Sequence, residues 1–234
     1  MKVLFVSAHP DDIEINCAGT AKRMVDRGDE VVLCNLCNGD MGHVVIPSEK
    51  LKEMRLKESR ASAAFIGAKY MTLNTGDLRL YHQHEATRDA VIDIIRKVNP
   101  ELIITHSPND YMPDHIAVSK LVFDASFCAS LPHYASKESA VVPICPIYYM
   151  DNLGAFGFSP TEYVDISGVM DVKLAMLRCH QTQLTWLKDH DHIDFEETVT
   201  VFSRMRGLQA GVKYAEGFVQ MAGWGRMTTK RLLP

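Results

Sequence analysis

The stretch Lys2-Val3-Leu4-Phe5-Val6-Ser7-Ala8-His9-Pro10-Asp11-Asp12-Ile13-Glu14 decides the fold. Its first half is a nearly continuous apolar run of strand length, the pattern of a strand covered on both faces. Its second half crowds an imidazole and three carboxylates into little more than one turn. Strands covered on both faces belong to parallel sheets layered with helices, and such sheets bind ligands at the carboxyl ends of their strands. The polar half therefore falls where a site would form.

Outward from this stretch, strands and helices alternate. A helix is expected from about Asn16 to Arg27, ending at Gly28, and a strand over Glu30–Leu36. Asn38-Gly39-Asp40-Met41-Gly42 is a loop, Ser48–Ile66 a helix and Tyr70–Leu73 a short strand. A loop then runs to about His84, followed by a helix over Ala86–Val98 that Asn99-Pro100 ends. Leu102–Thr105 is a second buried strand, and Pro113 opens a helix to about Phe127. Residues 130–143 read as loop, Ile147–Met150 and Tyr163–Asp165 as strands, Val169–Cys179 and Phe195–Gln209 as helices. This order predicts an α/β fold: a Rossmann-like three-layer sandwich with a mostly parallel sheet, residues 1–234 forming one domain.

Composition narrows the function classes. The 234 residues are 47% hydrophobic and 23% charged, with a net charge of −4. That suits an ordinary globular chain and offers no basic surplus for a nucleic-acid partner. The apolar run at the N-terminus is too short for a secretory leader, and no segment reaches the roughly 20 apolar residues that span a bilayer. A cytoplasmic protein without a membrane partner is expected, its six cysteines reduced and mostly buried. Cys34 and Cys37 form a C-x-x-C pair, but residues three apart on a strand point to opposite faces, so a core role is expected for both.

Like charges as close as Asp11 and Asp12 are costly unless a cation neutralises them, and a divalent metal does so directly. His9 and Asp12, three apart in a tight turn, can reach one ion while Asp11 points beside it. The same residues also suit a surface turn and an N-cap. A second strand end weighs against that reading. Leu102–Thr105 leads into His106-Ser107-Pro108-Asn109-Asp110-Tyr111-Met112-Pro113-Asp114-His115. His115 falls in a helix's first turn, where the dipole disfavours imidazolium and should leave the ring neutral. His9, Asp12 and His115 then supply three ligands and one open position, the pattern of a catalytic zinc site, with iron(II) also admitted.

His9-Pro10-Asp11-Asp12, followed about a hundred residues later by Pro113-Asp114-His115, resembles the LmbE-like or PIG-L-like deacetylase family. The resemblance extends to Arg55-Leu56-Lys57-Glu58, Gly76-Asp77 and Tyr214-Ala215-Glu216-Gly217-Phe218. It implies hydrolytic removal of an acetyl group from a small amino-sugar substrate, and a homo-oligomer. It implies that His9, Asp12 and His115 bind zinc, that Asp11 is the general base and that Asp114 orients a neighbouring ring. Arg55 and Asp77 would face the substrate. Members usually carry a His three residues before the third ligand, to stabilise the oxyanion, where this chain has Met112. His106, or Tyr111, is expected to supply that donor instead.

Other readings compete. A dinucleotide-binding module would need a G-x-G-x-x-G after the first strand, and none is there. A metal-dependent phosphoesterase would want a second metal and more carboxylates. A metal-binding protein without catalysis would fit Met112 but not the presence of Asp11. His82 with His84, and His190 with His192, could form a second metal site or sit on ordinary polar loops. His180-Gln181-Thr182-Gln183 could touch substrate or simply end a helix, Trp186 and Trp224 could pack or stack on a sugar, and Arg55 with Glu58 could be a helix-face ion pair.

Overall fold

The computed structural model describes all 234 residues. In chain order the elements are β1 (Lys2–Ser7), α1 (Asp12–Asn16), α2 (Ala18–Asp26), β2 (Glu30–Cys37), α3 (Ser48–Phe65), β3 (Lys69–Thr75), α4 (Glu85–Val98) and β4 (Leu102–Thr105). There follow α5 (Pro113–Cys128), β5 (Ile147–Met150), β6 (Glu162–Asp165), α6 (Met170–Leu177), α7 (Gln181–His190), α8 (Phe195–Ala210) and β7 (Ala215–Gln220). They build one seven-stranded sheet in the order β3-β2-β1-β4-β5-β7-β6.

The first five strands in that order run parallel. Alternate residues of β1 feed two cores: Val3 and Phe5 face α1, α2, α6 and α8, whereas Leu4 and Val6 face α4 and α5. Full burial of such a side chain is worth about 1.5–3 kcal/mol, so a strand covered on both faces needs an apolar residue at every position. The chain leaves β1 toward β2 on one side, and β4 pairs on the other. That reversal of strand order opens a crevice at the carboxyl ends of β1 and β4.

Three expectations are corrected. The helix expected over 16–27 is two helices; α1 starts at Asp12, and Cys17, at φ −151°, breaks the path before α2. The break frees the Gly19 and Thr20 amides to bond the Glu216 carboxylate at 3.0 and 2.7 Å. Glu216 lies in β7, which had no strand signal beyond one short motif and slots antiparallel between β5 and β6. Lys173 completes its coordination at 2.6 Å. Cys34 and Cys37 share one core rather than opposite faces, because the β2–β3 register shifts between Asn35 and Cys37. All six cysteines are free. No helix is long and apolar enough to cross a membrane.

Candidate active site

The loop after β1 is held rigidly from several sides. Asp11 adopts a left-handed conformation, φ 95°, at the N-cap of α1. That conformation costs a non-glycine residue of order 1–3 kcal/mol and persists only where neighbours impose it. Here Arg55, from α3, donates from one nitrogen to the Pro10 carbonyl at 2.6 Å and to Asp11 Oδ2 at 2.8 Å. Asn35 holds the His9 carbonyl at 2.9 Å, and the His9 amide donates to Asp12 Oδ2 at 2.6 Å. The Gly39 turn makes room for Arg55; a Cβ there would lie 2.6 Å from its side chain.

The second strand end meets the first. His9 Nε2 lies 2.9 Å from Asp114 Oδ2, which also accepts the Leu78 amide at 2.8 Å. This fixes the ring and leaves Nδ1 toward Asp12, 3.6 Å away. His115 Nε2 lies 3.2 Å from Asp12 Oδ1, and its Nδ1 lies 3.1 Å from Asp110 Oδ1. Neither His115 nitrogen has hydrogen-bond alignment, so both are buried without a partner.

These residues fit a metal. One ligand atom each from His9, Asp12 and His115 falls within 4.8 Å of the others. Two further sets, His9-Cys37-Asp77 and His106-Asp110-His115, meet the same distance. In the first of these, Asp77 already accepts the Gly39 and Met41 amides and His9 Nε2 is taken by Asp114. In the second, Asp110 is the usual carboxylate behind a ligating His. Protonation tells the same story. Burial opposes charge on His115, yet the Asp12 and Asp110 carboxylates outweigh it and raise its pKa to about 9. The helix position expected to keep this ring neutral is overridden. His9 is raised too, since the Asp114 and Asp12 carboxylates outweigh its burial. The cluster calls for positive charge, which protons or a divalent ion can supply.

Asp11 stands beside these candidate ligands. Burial lifts its pKa to about 6, against the pull of Arg55 and with the push of Asp12. Such a carboxylate is ionised at neutral pH yet basic enough to accept a proton.

A cleft of about 380 Å³ opens over the cluster, lined by His9, Asp11, Asp12, Arg55, Asp77 and His115 together with Tyr111, Met112, Gln183 and an apolar wall. Arg55 and Asp77 thus border the cleft as expected, though Asp77 spends both oxygens on the 39–41 loop. Tyr111 stands at the edge, its ring 6.1 Å from that of His115. Burial and the Asp12 charge raise its pKa and keep the phenol a donor.

His106 does not line the cleft, which is at odds with the donor role expected for it. It is 0% exposed, its Nε2 accepts the Ala8 amide at 3.0 Å, and burial and the His115 charge depress its pKa to about 4. A buried neutral ring behind the candidate ligands presents no donor to the cleft. Glu58 does not pair with Arg55; it accepts the Thr182 amide and hydroxyl at the start of α7. His180 is buried beside Glu14 at 3.2 Å, and only Gln183 of its segment reaches the cleft. None of His82, His84, His190 and His192 joins a candidate metal group. Trp186 stacks on His190 with ring centroids 3.9 Å apart and lies 5.1 Å from the His43 ring, outside the cleft, and Trp224 is 91% exposed and also outside it. Sequence reasoning missed Asp110 as the support of His115; its place five residues before that ligand, at the end of the same loop, was the available signal.

Comparison with known proteins shows the family. The family described as PIG-L: GlcNAc-PI de-N-acetylase matches residues 4–126. A diacetylchitobiose deacetylase of Thermococcus kodakarensis is 31% identical over 226 residues, covering 92% of this chain and 81% of that protein. The N,N'-diacetylchitobiose deacetylase of Pyrococcus horikoshii superposes with a TM-score of 0.83 at 27% identity, over 94% of this chain and 83% of the other. The 4-carboxy-2-hydroxymuconate hydratase of Pseudomonas putida also gives 0.83, at 25% identity, over 99% of both chains. With over half its length matched and that level of identity, the chain belongs to the PIG-L de-N-acetylase family.

Proposed function

We propose that this protein is a metal-dependent N-deacetylase that hydrolyses the acetamide of an N-acetylglucosamine-type sugar or conjugate, with residues 1–234 acting as one domain. The observation that carries the reading is the division of labour in the first loop: Asp12 joins His9 and His115 in a ligand set, while Asp11 stands free of it, raised to about pKa 6 and aimed by Arg55.

His9, Asp12 and His115 would hold zinc, or iron(II), in an open three-ligand site. A bound ion would polarise the amide carbonyl and acidify the attacking water. Asp11 takes the proton from that water as its oxygen bonds to the acetyl carbon, then returns it to the sugar nitrogen as the C–N bond breaks. Acetate and the free amine leave. Arg55 keeps the Asp11 carboxylate oriented, and Asp114 keeps the His9 ring oriented through Nε2. The Tyr111 hydroxyl, at the cleft edge, supports the developing oxyanion.

The hydratase relative raises a second reading, hydration of an unsaturated carboxylate. The cleft favours the amide: Arg55 is the one Lys or Arg lining it, and it is already paired with Asp11. The test is an amine-release assay over N-acetylglucosaminides, with metal content measured on the same preparation. Hydration of an unsaturated carboxylate, without amine release from any sugar, would overturn the proposal.

A further inference from the structure

The outer cleft is built for something other than the sugar hydroxyls. Half of its lining residues are hydrophobic, and the outermost of them come from five separate segments. Met41 enters from the loop after β2, Leu78 from the loop after β3 and Tyr111 from the loop after β4; Leu187 comes from α7 and Ile193 from the loop beyond it. Met41 and Leu78 are 50% and 53% exposed. Convergent exposed apolar side chains around a cleft mark a binding wall rather than chance surface.

Leu78 makes the case specific. It holds a left-handed backbone, φ 59°, which is unfavourable for a leucine. Its amide is fixed at 2.8 Å by Asp114 Oδ2, the oxygen that also orients His9. A strained residue whose amide is held beside the candidate ligands thus presents a half-exposed apolar side chain to the cleft. Charge points the same way. The lining carries Asp11, Asp12 and Asp77 against Arg55 as its one Lys or Arg, and one terminal nitrogen of that guanidinium is held by Asp11 and the Pro10 carbonyl. A carboxylate or phosphate on the far side of the substrate would meet three aspartates and one already paired guanidinium there.

Building on the deacetylase reading, we infer that the amino sugar is presented as a glycoside of an uncharged, apolar group, which the Met41–Leu78–Ile193 wall covers while the acetamide sits over the ligand cluster. The class is alkyl or aryl N-acetylglucosaminides and their natural counterparts, as opposed to conjugates with organic acids or phosphates.

The experiment measures kcat/KM by amine release for the methyl, butyl and 3-carboxypropyl glycosides of N-acetylglucosamine, below micelle-forming concentrations. Burial of a methylene at about 0.8 kcal/mol is roughly a 4-fold gain, so butyl should exceed methyl by about 10-fold or more. The 3-carboxypropyl glycoside, of nearly the same shape, should fall to the methyl value or below. Leu78→Asn keeps a residue that tolerates the left-handed backbone, and it should shrink the butyl-to-methyl ratio. Turnover of the methyl glycoside with no gain for butyl, or a preference for 3-carboxypropyl, would overturn this inference and leave the deacetylase reading standing. An unchanged ratio in Leu78→Asn would overturn the assignment of the wall. No turnover of any of the three sugars would instead sink the deacetylase reading on which it rests.

Discussion

The imidazole rings of His106 and His115 lie face to face, centroids 3.9 Å apart and 13° from parallel, each with Nε2 3.2 Å from the Asp12 carboxylate. One ring is a ligand candidate facing the cleft; the other is its buried support. Their joint approach to Asp12, with the Ala8 amide bonded to His106, carries the end of β4 and the start of α5 onto the loop after β1, and so joins two strand ends into one site.

His106→Asn should therefore act on the metal rather than on the oxyanion. Loss of an outer-shell partner typically costs 10- to 100-fold in metal affinity. We expect zinc affinity to fall in that range while kcat at saturating zinc falls less than about 10-fold, since a lost oxyanion donor would cost about 10² or more. A large kcat loss with unchanged zinc affinity would restore the donor role to His106.

Metal binding should depend steeply on pH. With no ion present His115 titrates at about 9, so below that pH a proton occupies the ligand position. Raising the pH removes it, together with the proton that the raised His9 also holds, and apparent zinc affinity should climb by at least tenfold per pH unit below 9, then less steeply. The same shift has the opposite sign for the metal-free fold. A histidine raised from its ordinary 6.5 to about 9 stabilises fully below 6.5, and that contribution is lost as pH rises through 9. Calorimetric zinc titration and thermal unfolding of chelator-treated protein measure the two slopes.

Asp11→Asn should keep both fold and metal, because Asp11 lies outside the ligand set, and should lower turnover by roughly 10²-fold or more. Loss of metal in this variant, read by elemental analysis, would mean that Asp11 and Asp12 have exchanged roles.

Arg55→Met removes the positive charge that holds the Asp11 pKa down. The acidic limb of the kcat/KM profile should therefore move to higher pH, above its starting point near 6, with activity at pH 8 recovering part of the loss seen at pH 6. A limb that stays in place would detach Arg55 from the base.

Glu216→Gln tests a part of the chain remote from catalysis. Glu216 and Lys173 are both buried, 2.6 Å apart, and the carboxylate also caps the free amides of α2. Removing one partner leaves an uncompensated buried charge, which costs about 3–5 kcal/mol. Denaturant unfolding should show a loss of that size.

What the sequence by itself determined is whatever follows from local pattern. The apolar runs 2–7 and 102–105 could only be strands covered on both faces, and Pro113 and Gly28 marked helix ends. Because both strands end in His and Asp, and a parallel sheet aligns its carboxyl ends, the convergence of His9, Asp12 and His115 was legible before any fold was known. Tertiary structure alone decided the rest, through contacts between residues far apart in the chain. The break at Cys17 is compensated by Glu216, 199 positions on, and β7 is a strand because β5 and β6 offer it two edges. The register shift that turns Cys37 into the same core as Cys34 depends on pairing with β3. His106 carried the right chemistry at the right strand end, but packing beneath His115 and the Ala8 amide made it a support. A residue's type limits what it can do; its depth and its partners, set by the packed sheet, select which of those things it does.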